Sequence, residues 1–238
     1  MTVVTRKRLV WSFMAIGASI AVSAAKLPSG YTELEYIQAT GNQYIDTGCT
    51  PSPDFRAVVD FQHTSPTEEK TGFGYAGNGN GPSFRFWRRK TSSGMTYLFT
   101  INDSYKVEER FQTINVGVDT DTDRHVVDLS NSAKYLDGVQ MTNTSPGLTQ
   151  SVGGTMYLFA DRYGWSPFSG HFGTYRIFSC KLYESGALIR QFVPCTDENG
   201  KGGLYDIVGG QMYYNTYNNT DFILGPAKTP SAMIIIVQ

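Results

Sequence analysis

Cysteine is scarce in this chain. Cys49, Cys180 and Cys195 are all it has, too few to staple the fold, and one must stay unpaired if the other two join. Histidine is equally rare. His63, His125 and His171 stand far apart, and with no H-x-x-x-H or C-x-x-C spacing no zinc site is readable. There is no G-x-x-x-x-G-K-S/T and no G-x-S-x-G; "GWSPF" around Ser166 lacks the second glycine. "GFGYAG" (72–77) has the letters of G-x-G-x-x-G, but a polar loop precedes it and "NGNGPS" follows. No helix can start there to receive a pyrophosphate, so a dinucleotide site is excluded. The paired carboxylates of a glycosidase are missing as an E-x-D-x-x-E pattern. Glu68-Glu69 and Glu108-Glu109 are adjacent pairs, which point opposite ways on a strand and read as solvated charge. No long stretch keeps a 3.6-residue apolar period, which excludes a helical bundle. The net charge is −1, so no basic surplus argues for nucleic acid.

The first 25 residues have the anatomy of a secretory leader. "MTVVTRKR" is basic through Arg6, Lys7 and Arg8, "LVWSFMAIGASIAV" is uncharged and apolar, and "VSAAK" offers cleavage after Ala24 or Ala25. An uncleaved anchor is the competing reading, but a spanning helix wants about 20 apolar residues and the small-residue end favours cleavage. Losing the three cations takes the net charge from −1 to −4. A mildly acidic domain of this kind has no electrostatic case for nucleic acid or anionic membranes. Residues 26–227 then form one domain, and 228–238, with "SAMIIIVQ", a last strand or tail too short to span a membrane.

What the domain does have is Tyr, Phe, Thr, Val and Gly in short runs of period two, cut by Gly/Asn/Asp/Ser clusters. That pattern predicts an all-β fold of two antiparallel sheets, with roughly a dozen strands and no composition break. Strands are expected over Glu33–Gln38, Gln43–Asp46 and 55–62, with a hairpin of 83–90 and 94–102. A less regular strand follows at 105–116. The best hairpin is "RHVVDLSNSAKYLDGVQM" (124–141), which turns at Ser-Asn-Ser and again at Asp137-Gly138. Further strands fall within 154–195, and a last hairpin at 202–216 has Gly209-Gly210 at its tip.

"FSGHFGTYRIFSCKLY" (168–183) gathers His, Ser, Cys and Tyr and raises the question of catalysis. Strict alternation puts Phe172, Thr174, Arg176, Phe178, Cys180 and Leu182 on one face, and Tyr175, Ile177, Ser179, Lys181 and Tyr183 on the other. Neither face collects a nucleophile, a base and an orienting acid, and His171 falls at an exposed or edge position. A two-residue turn at Ser185-Gly186 pairs Glu184 with Ala187, Cys180 with Gln191 and Cys195 with Arg176. That register keeps the sulfurs apart, because a disulfide needs Cα atoms within about 7 Å. A bulge or another register would be required to join them; buried free thiols are the alternative.

Two segments offer rings to a ligand. "RYGWSPF" presents Arg162, Tyr163 and Trp165 in a Gly/Pro loop, and "FWRRK" presents Trp87 with Arg88 and Arg89. Flat rings cover the apolar faces of sugars, and loops carry function more often than cores do. The alternative is packing, with Trp165 plugging a sandwich edge and Trp87 half-buried on a strand. "DTDTD" places Asp119, Asp121 and Asp123 where a loop would turn three carboxylates toward one hard cation such as Ca2+. The EF-hand pattern is absent, and a solvated acidic turn is the competing reading.

"DTDRHVVDLSNSAKYLDGVQM" (121–141) followed by "MYLFADR…FSGHFGTYRIFSCKLYESG" (156–186) resembles the concanavalin A-like, laminin-G-like jelly roll. The likeness rests on Arg124 and His125 ahead of a strand, on Asp137-Gly138 after the hairpin, and on Tyr157–Ala160, Phe168–Gly170 and Arg176–Phe178. The opening "LPSGYTELEYIQATGNQYIDTG" and the closing "LIRQFVPCTDENGKGGLYDIVGGQMYYN" look like a subset of such domains in secreted bacterial and phage-associated proteins. The resemblance implies a two-sheet jelly-roll sandwich, a structural role for His125, and a lectin-like binding function, in some members with Ca2+ at the sheet edge. It implies no enzyme, since the glucanase carboxylates are missing. The expectation is therefore a secreted or cell-surface, non-catalytic module. Its partner would be a glycan or a cell-surface or extracellular protein, with no nucleic acid and no membrane span after leader cleavage. A structural or protein-interaction domain of a surface assembly is the alternative, and a divergent glycoside-active enzyme a third reading.

Overall fold

A computed structural model of the chain describes residues 27–65, 71–77, 81–91, 94–103, 109–110, 122–140, 146–163 and 171–229. Among them there is no helix, and two sheets pack face to face as an all-β sandwich. In chain order the strands are β1 (Thr32–Glu33), β2 (Ile37–Gln38), β3 (Ile45–Asp46), β4 (Phe55–His63), β5 (Thr71–Ala76) and β6 (Ser83–Thr91). Next come β7 (Gly94–Asn102), β8 (Glu109–Arg110), β9 (Arg124–Ser130), β10 (Lys134–Leu136), β11 (Val139–Gln140) and β12 (Tyr157–Leu158). The last are β13 (Asp161–Tyr163), β14 (Tyr175–Glu184), β15 (Ala187–Thr196), β16 (Gly202–Asp206), β17 (Gln211–Tyr213) and β18 (Ile223–Leu224).

The larger sheet runs β11-β10-β9-β4-β14-β15-β16-β17, and the smaller one β3-β12-β5-β6-β7-β8. Among the described strands pairing is antiparallel except where β13 lies parallel to β5, and an isolated parallel bridge joins Asn102 to Gly147. Strand β14 pairs with β15 only from Cys180 onward, and at its other end Arg176 and Ile177 pair with β2. The segment expected as one strand over Glu33–Gln38 is thus divided. Its first part joins β15 and its second joins β14, with fully buried Ile37 pointing inward.

The core forms where the inner faces meet. Phe55, Ala57, Val59 and Phe61 of β4 alternate inward as period two requires. Phe55 meets Phe84 edge-on with centroids 5.3 Å apart, and Phe61 meets Phe86 at 5.2 Å. His63 and His125 share this interior, His63 stacked on Tyr97 at 5.8 Å. His125 places Nδ1 2.6 Å from the Asp137 carboxylate, whose other oxygen accepts the Val126 amide at 2.8 Å. This fixes the turn at Asp137 (φ 52) and Gly138 (φ 77), which sits where it was expected.

Two features depart from strict alternation. Opposite Asp60, β14 carries an extra residue between Ile177 and Ser179, so the buried set runs Tyr175, Ile177 and then Cys180, Leu182. The bulge exchanges the two faces halfway along the strand, because one inserted residue inverts every side chain beyond it. The second bulge lies between Leu182 and Tyr183. Glu184 pairs with Ala187 as the turn dictates, but Cys180 then faces Phe192 instead of Gln191. Cys49, Cys180 and Cys195 are all free and buried. Strand β18 had no counterpart in the expected set; it pairs with β2 and lies beside buried Phe222.

Candidate functional site

The smaller sheet has an inner face of Phe73, Phe84, Phe86 and Phe99, all in the core. Its register lines up the opposite face. Asp46 pairs with Tyr157, Tyr157 and Asp161 with Gly74, Gly74 with Arg85, and Arg85 with Thr100. Trp87 pairs with Leu98 in a neighbouring row, on the same side as Arg85 because the two are two positions apart on the strand. This outer face holds the chemistry.

Gly74 makes room for it. Its φ is +138, and a Cβ there would lie 2.4 Å from the Phe84 carbonyl and 2.5 Å from Arg85 Cα, so β6 can approach only a glycine. The spacing in "GFGYAG" serves strand packing. Phe159 (φ 67) turns the chain between β12 and β13, its amide donating to the hydroxyl of buried Tyr175. That turn sets Asp161 beside Gly74. The Asp161 carboxylate is fully buried, with Arg85 Nη1 3.4 Å from one oxygen and His171 Nδ1 3.1 Å from the other. A carboxylate only accepts, so His171 presents Nδ1–H to it. The imidazole is held by one edge while its side chain remains 49% exposed. The Arg85 guanidinium also covers the Trp87 indole, 4.5 Å from the ring centroid. Such an arrangement offers a fixed ring and an oriented imidazole; acyl transfer would further require a nucleophile.

An aromatic cluster flanks this polar group. Tyr44 and Tyr157 stack at 4.3 Å with an interplanar angle of 15°. Phe172, next to His171, packs on Tyr217 at 4.8 Å, and Tyr217 is exposed. The face is largely covered elsewhere, since Leu98 and Thr100 are buried without belonging to the core cluster.

Of the residues singled out in the sequence, Trp87 lies on this face, half-buried. Arg88 does not. It is fully buried on the core side, donating to the Ser65 carbonyl at 3.1 Å with its guanidinium 6.0 Å from the Tyr97 ring. Alternation separates Trp87 from Arg88 and joins it to Arg85, a reading that "SFRFWRRK" permits. Arg162 is half-buried in β13, donating to the Thr155 hydroxyl at 3.0 Å, 5.8 Å from the Tyr157 ring. Tyr163 has its backbone in β13 opposite Ala76, and its side chain lies outside the described residues. Trp165, Asp119 and Asp121 lie outside them too, while Asp123 is exposed ahead of β9. Among the described residues, no three His, Cys, Asp or Glu side chains converge as metal ligands. The Asp161–His171 contact and the Tyr44–Tyr157 stack carried no signal of spacing, since each joins segments set together only by the fold.

No protein-family model matches the chain, and no curated protein matches it.

Proposed function

We propose that the chain is a secreted or surface-displayed, non-catalytic binding module of the concanavalin A-like, laminin-G-like type, and that its ligand is a saccharide. The observation that carries this reading is the Trp87 indole, backed by Arg85 at 4.5 Å on the face of the smaller sheet that turns away from the core. The half-exposed His171 and the exposed Tyr217 extend the same face, and a ring beside hydrogen-bonding groups is how sugars are gripped. Arg162, Tyr163 and Trp165 belong to the adjoining segment and would add a second ring. The proposal includes removal of residues 1–25 as a leader; Asp119, Asp121 and Asp123 stand in it as a solvated acidic turn, with a Ca2+ site as the alternative.

The alternative is a protein-interaction role. Val139 on strand β11 is 61% exposed, and among the described residues β11 pairs with β10 alone, so a neighbouring strand could add there. A glycan array probed with the mature chain, with Ca2+ and with EDTA, separates the two. Specific binding lost in Trp87→Ala is expected, with EDTA sensitivity if the acidic triplet holds an ion. Binding to no glycan would end the saccharide reading and favour the protein-interaction one.

A further inference from the structure

The larger sheet carries a groove that the site above does not use. It lies at the turn end of the sandwich, where the chain entering β4, the turn after β9 and the β14–β15 turn converge. Its volume is about 420 Å3, within the roughly 300–1,000 Å3 of small-ligand sites.

The register builds one wall. Tyr183, Arg56 and Ser130 pair side by side across β14, β4 and β9 and so share the outer face. Arg56 is clamped on Asp128, Nε donating to one oxygen at 2.7 Å and Nη2 to the other at 2.6 Å. Its guanidinium lies 5.0 Å from the centroid of the Tyr183 ring. Ring and cation are therefore held in place before any ligand arrives, which lowers the ordering cost of binding. The rim is fixed as well. Ser52 donates to the Glu184 carboxylate at 2.5 Å, the Ser185 amide to the Asp54 carbonyl at 3.2 Å, and the Ser130 and Ser132 hydroxyls lie 3.2 Å apart.

The charges select the ligand. Asp128 neutralises Arg56, and exposed Asp54 adds a negative charge to the lining, so phosphate, sulfate and carboxylate ligands are disfavoured. The lining otherwise offers three serine hydroxyls, the guanidinium N–H groups that Asp128 leaves over, a carboxylate acceptor and an aromatic side chain. Paired donors and acceptors beside a ring match a polyhydroxylated, uncharged ring. We infer that this groove is a second binding site, specific for a short neutral saccharide. It lies on the opposite sheet from Trp87, so either site can fail without the other.

The test is amide NMR of the mature, isotope-labelled chain, titrated with glucose, galactose, mannose, N-acetylglucosamine and their disaccharides, with sulfate and glucuronate as anionic controls. Saturable shifts are expected at Ser130–Ser132, Tyr183 and Ser185 with at least one neutral sugar and neither anion. Tyr183→Ala should weaken that binding at least 10-fold, Arg56→Lys several-fold, and Tyr183→Phe should retain it, with dispersion of the remaining amides reporting the fold in each variant. Trp87→Ala should leave these shifts unchanged. No shift in the groove with any neutral sugar, or shifts with sulfate or glucuronate alone, would overturn the inference. An array signal abolished by Trp87→Ala with a silent groove would also overturn it while sparing the proposed function.

Discussion

Asp161 is the residue on which the candidate face depends. It is a fully buried carboxylate set between a buried guanidinium and an imidazole, 3.4 Å and 3.1 Å away. Truncating one member of a buried charge pair leaves the desolvation of the other uncompensated, a loss of roughly 3–5 kcal/mol. Asp60 makes the instructive contrast. It holds Arg124 by two bonds of 2.7 Å, better geometry than Arg85 has, but the Arg124 side chain is half exposed. Exposed pairs contribute at most about 1 kcal/mol, because water and salt screen them. Urea unfolding of Asp161→Ala and Asp60→Ala should therefore rank the longer contact as the costlier one to remove. Equal losses would show that Asp161 is less buried in solution than the geometry requires. The consequence is functional too, since His171 loses its orienting acceptor in the first variant only.

At the scale of elements, turns were readable and bulges were not. Asp137-Gly138 and Ser185-Gly186 announce themselves because few residues adopt positive φ, and both occur where the letters put them. The bulge in β14 leaves no such mark. "RIFSC" reads as unbroken alternation, and only the opposing Asp60 reveals the extra residue. The same limit hid Arg85 and Asp161, since the partners stand 76 residues apart in the chain and meet only across β5. The β15–β16 hairpin is an element whose stability titrates. Asp197 accepts the Tyr214 hydroxyl at 2.6 Å and the amides of Lys201 and Asn199 at 2.9 Å each. The Tyr214 bond first, then the Lys201 and Asn199 amides, hold its carboxyl below the usual aspartate range. A lowered folded pKa contributes stability that is present above the ordinary value and lost as pH falls through the lowered one. Tyr214→Phe removes the largest cause. The Asp197 carboxyl, followed by carbon-13 shift against pH, should titrate closer to the ordinary value near 3.9. The acid loss of stability contributed by this carboxyl should then be smaller and be complete at higher pH, because its onset is set by the unfolded chain. An unchanged titration would mean that the two amides alone hold the carboxylate.

For the molecule as a whole, the three thiols decide what does not hold it together. Cys49 precedes β4, Cys180 lies in β14 and Cys195 in β15, all buried and none joined. The fold therefore rests on apolar burial between sheets, and reductant should leave its melting temperature unchanged; a fall would reveal a disulfide. Burial also sets an alkaline limit. Desolvation raises all three thiols, Cys180 most strongly because it is wholly enclosed, and Cys195 up to about 12. In the unfolded chain each ionises near about 8.5. Between those values the folded state keeps protons that the unfolded state has released, so the slope of unfolding free energy against pH is negative. Stability should decline from about pH 8.5 toward the Cys195 value of about 12. Cys195→Ala should flatten that decline, since its sulfur lies against Met212 and no ion pair is lost with it. Urea midpoints across this range, wild type against Cys195→Ala, test the argument. Parallel curves would assign the alkaline loss to Cys49 and Cys180 or to the raised tyrosines, of which Tyr175 is the most deeply buried.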